Sequence, residues 1–250
     1  MIQIIPIIGL PEIKAGDPLP DMLATHLQGK VRLQLGDVLV VTQKIVSKAE
    51  DRFVDPSSIT PSIEAITLAA EVLKDAALVE LVLRESSAVV RTAPNVLITK
   101  HRLGHVMANA GIDASNIGAD NGDRLLLLPE DPDASAARIA EACERVFGFY
   151  PGVVICDSFG RPWRMGTVNV AIGVSGMPAM LDQRGDPDRD GRVMQVTQIA
   201  LADAVAGAAG LAMGEGAEGI PVVIVRGLHW TGEAQTSRAM IRPLSEDLFL

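Results

Sequence analysis

The residues best suited to chemistry lie in four acidic stretches. The first is Asn109-Ala-Gly-Ile-Asp-Ala-Ser-Asn116, where Asp113 and the amides of Asn109 and Asn116 stand among residues too small to hide them. Asn, Gly and Asp crowded together form turns, so a decorated turn is one reading. A metal or phosphate loop is the other, because Mg²⁺ and Mn²⁺ take one or two carboxylates plus substrate oxygens. The second stretch is Asp157-Ser158, directly after Val153-Val154-Ile155-Cys156. A carboxylate beside a hydroxyl offers a cation two hard oxygens, and an Asx-turn closing a strand uses the same residues.

The third stretch is Met213-Gly-Glu-Gly-Ala-Glu-Gly-Ile220, whose glycines let backbone N–H groups approach a phosphate. Glu215 would repel that phosphate unless a divalent cation sat between them. A helix C-cap with a solvated acidic turn is the plainer alternative. The fourth, Asp186-Pro-Asp188-Arg-Asp190-Gly191, imitates an EF-hand start but has Thr197 where the twelfth-position Glu belongs. It reads as an acidic surface loop. Among the cations, Lys48 follows a strand and a turn, a place from which an ammonium reaches a phosphate; a solvated surface lysine is the usual alternative. Walker A and Gly-x-Gly-x-x-Gly motifs are absent, and His26, His101, His105 and His229 have no metalloprotease or triad context. Ser175 in Gly173-Val-Ser-Gly176 lacks nucleophile-elbow spacing, which argues against a serine hydrolase.

The elements that must position these residues can be read from apolar patterning. A first strand spans 2–8, and Pro18 and Pro20 bracket a turn before a short helix at 22–27. The unbroken run Val38-Leu-Val-Val-Thr42 fits a strand buried on both faces, with Lys44 and Lys48 just beyond it. Helical spacing marks 62–73, 77–85, 134–147 and 196–211. Short strands are expected at 89–91, 96–100, 104–110 and 124–128, and longer ones at 152–156, 167–176 and 220–226. The strand 152–156 is expected to end at Asp157. Strands and helices mix without strict βαβ alternation, which favours an α+β fold.

Composition narrows the function. The 250 residues fit one large domain or two interlocked subdomains, and with 48% hydrophobic but only 3% aromatic residues the core is aliphatic. A net charge of −9 without any Lys/Arg cluster argues against nucleic acid as a partner. Cys143 and Cys156 make neither a disulfide framework nor a metal motif, consistent with a reduced, cytoplasmic setting. The apolar N-terminus lacks a basic region and is cut by Pro6, so it reads as a strand rather than a signal peptide. No apolar run is long enough for a membrane span.

Eight segments then fall in a familiar order: Gly9-Leu-Pro, Gly36-Asp-Val-Leu-Val-Val, Ser47-Lys48-Ala-Glu, Asn109 to Asn116, Asp157-Ser-Phe-Gly-Arg161, Ala171-Ile-Gly-Val-Ser-Gly176, Met213-Gly-Glu-Gly216 and Val225-Arg-Gly227. Over nearly its whole length the chain resembles the coenzyme F420-0:L-glutamate ligase family. The resemblance implies GTP-dependent addition of L-glutamate, through a γ-linked amide, to the lactyl carboxylate of F420-0 via an acyl phosphate. It implies a homodimer of intertwined α+β subdomains and two divalent metal sites for Mg²⁺ or Mn²⁺, with a monovalent cation such as K⁺ as a further candidate. Asp113 and Asp157 would hold one metal, Ser158 and Glu215 the other; Asp113, Asp157, Glu215 and Lys48 would carry catalysis. GTP would meet Leu10, Pro11, Glu12, Ile13, Gln43, Lys44, Lys48, Asn116, Met213, Gly214, Glu215, Gly216, Ala217, Glu218, Gly219 and Ile220. Ser158 stands where Thr is often expected, and Gln43-Lys44 replaces small hydroxyl residues that some members carry. A single ligase domain over 1–250 is expected, without the C-terminal flavin-binding reductase domain fused in some members. Arg161, Trp163, Arg164 and the loop 182–192 are candidates for acceptor contact. A glutamyl ligase with a different acid acceptor and a non-catalytic nucleotide- or metal-binding protein remain the alternatives.

Overall fold

The computed structural model describes residues 1–247, so the last three residues of the expected 1–250 domain lie outside the described residues. In chain order the elements begin with β1 (Gln3–Pro6), α1 (Leu19–Lys30), β2 (Val38–Thr42), α2 (Gln43–Ala49) and β3 (Phe53–Val54). A helical and hairpin lobe follows: α3 (Ile63–Val72), α4 (Ala76–Arg84), β4 (Ser86–Ala93), β5 (Val96–His101) and β6 (Val106–Ala108). The chain then returns through β7 (Leu125–Leu126), α5 (Pro132–Phe147), β8 (Gly152–Arg161) and β9 (Arg164–Ser175). It closes with β10 (Leu181–Asp182), β11 (Gln198–Ile199), α6 (Leu201–Met213) and β12 (Val222–Arg226).

The main sheet has the order β1-β12-β2-β8-β9. Its one parallel pair is β2 with β8; the other neighbours are antiparallel. The central strand is buried throughout Val38 to Val41, as expected of an uninterrupted β-branched run covered on both faces. Leu39, Val41, Val153 and Ile155 pack against α1 and α5 through Leu23, Leu27, Ile139 and Cys143. Val38, Val40, Val154 and Cys156 face the other way, onto Ala202, Val205, Ala206, Ala209 and Met213 of α6. Small alanines let α6 lie close to the sheet. A third, smaller core joins α3 and α4 to Leu97 of β5. The fold is thus mixed α/β, with a helix layer on each face of the main sheet. Among the described residues no helix is long and apolar enough to cross a membrane.

Several boundaries differ from the sequence reading. The strand expected to end at Cys156 runs on to Arg161, because β9 pairs with it as far as Arg164. The helix expected at 196–211 starts only at Leu201, since Gln198 and Ile199 pair with β10. The expected short helix at 22–27 extends from Leu19 to Lys30, with Pro20 in its first turn, where a missing N–H costs nothing. The expected strand 104–110 shrinks to β6, after which Asn109, Ala110 and Gly111 all take left-handed φ values of 50°, 51° and 68°. At the far end of the sheet the buried Asp37 carboxylate accepts from Arg226 Nε at 2.8 Å and Nη2 at 2.7 Å, fastening β12 to the turn before β2.

Candidate active site

The site forms where β2 and β8 part. Thr42 is the last residue of β2 and pairs with Cys156; beyond it β2 turns into α2, while β8 continues alone with β9. A crevice therefore opens at the carboxyl ends of two parallel strands, the position that favours ligand sites in α/β sheets. Asp157 and Ser158 are the first residues of β8 past that point. Because side chains alternate along a strand, they project to opposite faces. Cys156 and Ser158 point to the α6 side, where Ser158 Oγ donates to Glu215 Oε2 at 2.7 Å. Asp157 points to the α2 side.

On α2 the four-residue repeat places Lys44 with Lys48 and Gln43 with Ser47. Lys44 Nζ lies 2.5 Å from Asp113 Oδ2, and Gln43 Nε2 donates to the same oxygen at 2.6 Å. Ser47 Oγ holds the Gln43 carbonyl at 2.9 Å, fixing the amide so that its NH₂ faces Asp113. Asp113 itself is anchored by a two-way backbone bridge to Leu126, both bonds 2.9 Å. Lys48 is no solvated lysine: it is 6% exposed, and its ammonium donates to Glu12 Oε1 at 2.7 Å.

The glycine loop after α6 completes the wall. Gly214 adopts φ of 70°, a turn that L side chains rarely make, and Gly216 N donates to Glu218 Oε2 at 2.8 Å. Asn116 Nδ2 donates to Gly216 O at 3.2 Å, which joins this loop to the Asp113 segment. Between them opens a cleft of about 630 Å³, lined by Leu10, Pro11, Glu12 and Ile13, by Lys44 and Lys48, by Asn116, and by Met213, Gly214, Gly216, Ala217, Gly219 and Ile220. An annex of about 100 Å³ holds Gln43, Asp157, Ser158 and Glu215, together with Thr42 and Asn169.

Electrostatics focus on Asp157. Its carboxyl is pushed up to about 7, first by burial and then by the charge of Asp113, with Glu215 adding to the effect and Lys44 opposing it. A buried carboxyl raised in this way sits near other carboxylates without enough positive charge to offset them. Among the described residues no three His, Cys, Asp or Glu side chains assemble a cage on their own. The donors instead fit cations that take one or two carboxylates and complete their shell with hydroxyl, water or substrate oxygens. Asp113 with Asp157, and Ser158 with Glu215, are the two sets available.

The sequence profile of the family described as F420-0:Gamma-glutamyl ligase matches residues 7–227. The chain belongs to that family. A coenzyme F420:L-glutamate ligase of Methanopyrus kandleri is 42% identical over 95% of this chain and 93% of its own length. The protein of that name from Archaeoglobus fulgidus is 44% identical over 93% and 90%, and that from Methanocaldococcus jannaschii 40% identical over 96% and 94%. Family membership makes the chain an enzyme, and the cleft its candidate active site.

The structure gathers almost every site residue expected from sequence. Glu218 acts on the glycine loop from within, and Asp113 and Asn109 line neither cavity: Asp113 reaches the site through Gln43 and Lys44, and Asn109 Oδ1 is buried with no hydrogen-bond donor among the described residues. Arg161, Trp163 and Arg164 form the far end of the β8–β9 hairpin, with Trp163 84% exposed. The loop 182–192 is an exposed turn closed on itself, Asp188 Oδ1 accepting from Asp190 N and Arg192 N. Thr42 and Asn169 escaped the sequence reading. A lone amide in the apolar run 167–176 was the available signal for Asn169.

Proposed function

We propose that this enzyme is a cytoplasmic, GTP-dependent ligase that joins L-glutamate through a γ-linked amide to the lactyl carboxylate of F420-0, working as a homodimer. The observation that carries the reading is the clustering of Asp157, Ser158 and Glu215 in the annex, with Asp113 tied to it through Gln43 and Lys44, beside a cleft that also presents Lys44, Lys48 and a glycine loop. A cleft of about 630 Å³ has the size of a small-molecule site and suits a nucleoside triphosphate. Carboxylates facing a triphosphate make sense only with cations between them. Mg²⁺ or Mn²⁺, when bound, supplies the charge neutralisation that phosphoryl transfer requires.

The chain's own groups then divide the work. Backbone N–H groups of the 214–219 loop and the Lys48 ammonium receive the polyphosphate, and Glu12 holds Lys48 in place until it arrives. Until a cation takes it, Lys44 and Gln43 hold the Asp113 carboxylate in one orientation. An acceptor carboxylate oxygen placed in line attacks the γ-phosphorus, and the bond to the β-phosphate oxygen breaks, leaving GDP and an acyl phosphate. The glutamate amine attacks the acyl carbon, the C–O bond to phosphate breaks, and phosphate and a proton leave.

A product assay by mass spectrometry tests this. The protein is supplied with F420-0, L-glutamate and Mn²⁺, and with GTP, ATP or neither. A GTP-dependent gain of one or more glutamyl units is expected. GDP release without that gain would replace F420-0 with another acid acceptor, and neither product nor GDP from folded protein would leave a nucleotide- or metal-binding protein. Light scattering that gave a monomer would remove the homodimer.

A further inference from the structure

Asn169 sits where its type is hard to explain by packing. It stands directly opposite Ser158 across the β8–β9 ladder, on the face that meets α6, where opposed side chains lie about 5 Å apart at Cβ. It is 7% exposed, and what remains open lines the same annex as Asp157, Ser158 and Glu215. Its Nδ2 donates to Met213 Sδ at 3.5 Å and Cys156 Sγ at 3.6 Å. A thioether can only accept, so the NH₂ must face Met213, which fixes the amide's orientation. Sulfur is a weak acceptor, and burying an amide for two such contacts is a poor exchange for an apolar residue of similar size.

The neighbouring helix makes room for this amide. A Cβ on Gly210 would lie 3.1 Å from the carboxamide carbon of Asn169 and 3.2 Å from its nitrogen. Glycine inside a helix costs about 1 kcal/mol relative to alanine. Here α6 accepts that cost at the one turn that seats Asn169.

We propose that Asn169 gives its carboxamide oxygen to a divalent cation held by Ser158 and Glu215, as a third protein oxygen at that site. The inference rests on the two-cation reading above. Ser158 supplies a neutral hydroxyl and Glu215 a carboxylate; a neutral amide oxygen completes a hard-oxygen set suited to Mg²⁺ or Mn²⁺ without adding charge beside Asp157. The sulfur contacts then serve to aim the oxygen.

Mn²⁺ titrations followed by electron paramagnetic resonance, with and without GDP, test the assignment on the wild type, Asn169→Ala and Asn169→Asp. Wild type is expected to bind two Mn²⁺ per chain. Asn169→Ala should keep one at unchanged affinity and weaken the other about ten-fold or more, the range seen when supporting groups around a metal are removed. Asn169→Asp keeps an oxygen in place and should bind both within about three-fold of wild type or more tightly, by the same logic. Two sites of undiminished affinity in Asn169→Ala, with only a lower melting temperature, would reduce Asn169 to packing and overturn the inference alone. A loss of about ten-fold or more at one site in Asn169→Asp would do the same, and decides the question where the alanine variant fails to fold. Fewer than two Mn²⁺ on the wild type under both conditions would overturn the two-cation reading and this inference with it.

Discussion

Replacing Lys44 with methionine should change metal and nucleotide affinity in opposite directions. The ammonium lies 2.5 Å from Asp113 Oδ2, with the two side chains 27% and 25% exposed. Coulomb's law gives such a contact about 7 kcal/mol at an effective dielectric of about 20, and about 2 kcal/mol in bulk water. Desolvation and side-chain entropy oppose it, so a partly exposed pair nets about 1 kcal/mol. A cation that takes Asp113 Oδ2 must first displace Lys44 and forgo that amount. Lys44→Met abolishes the competition and keeps the aliphatic volume, so Mn²⁺ without nucleotide should bind up to roughly five-fold tighter, since about 1.4 kcal/mol is a factor of ten. GTP, measured by calorimetry at fixed Mn²⁺, should bind more weakly, because the displaced ammonium is then free to meet a phosphate. Equal or weaker Mn²⁺ binding by Lys44→Met in the absence of nucleotide would refute the competition and make the ion pair purely structural.

Three further outcomes follow from the same geometry. Glu215→Gln keeps a hydrogen-bond partner for Ser158 but loses the charge; turnover should fall about 10²-fold or more, with the melting temperature within a few degrees of wild type, as checked by product assay and calorimetry. His105 is held down to about 4 by burial first and by neighbouring His101 second, against an ordinary value of 6.5. The unfolded chain therefore binds a proton that the folded chain refuses, and this contribution, present above about pH 6.5, is lost as pH falls toward 4; it amounts to at most about 3 kcal/mol. Urea titrations at pH 7.5 and 5 should show a smaller drop for His105→Gln than for wild type. Gly173 in β9 has no room for a methyl, since a Cβ there would come 2.4 Å from Pro132 O at the start of α5. Gly173→Ala should cost about 3 kcal/mol or more in denaturant unfolding.

The parts of the fold legible in sequence are those where local pattern and tertiary role agree. Val38 to Thr42 reads as a strand covered on both faces and is one, since its β-branched run has no polar face to expose. α3 and α4 were readable from the helical spacing of their apolar residues, and in the structure Ser62 and Asp75 cap them, each accepting from the backbone in the first turn. The strand through Asp157 was not legible. Asp157-Ser158-Phe159-Gly160-Arg161 has a turn's composition, and only pairing with a distant segment makes it extended. The chemistry of the site shows the same division: Asp113, Asp157 and Glu215 could be singled out from their types and neighbours. That Lys44 closes on Asp113, and that Asn169 stands across from Ser158, depends on contacts between residues 70 or so and a dozen positions apart, which no single segment records.

Asp157 and Ser158 are successive residues of one strand, so the proposed reaction draws two cation sites from a single dipeptide. That economy ties function to parity. The ladder of β8 and β9 carries an irregularity between Ile155 and Cys156, just before the pair. One residue gained or lost there would turn the carboxylate toward α6 and the hydroxyl toward α2, exchanging their partners while leaving every side chain in the chain chemically intact. Evolution and protein engineers alike are therefore barred from length changes in that stretch. Past Gly160 the count no longer matters to either site. The outer end of the hairpin, with Trp163 at its turn, is where the arm can be lengthened, shortened or recoloured while the proposed reaction floor stays fixed.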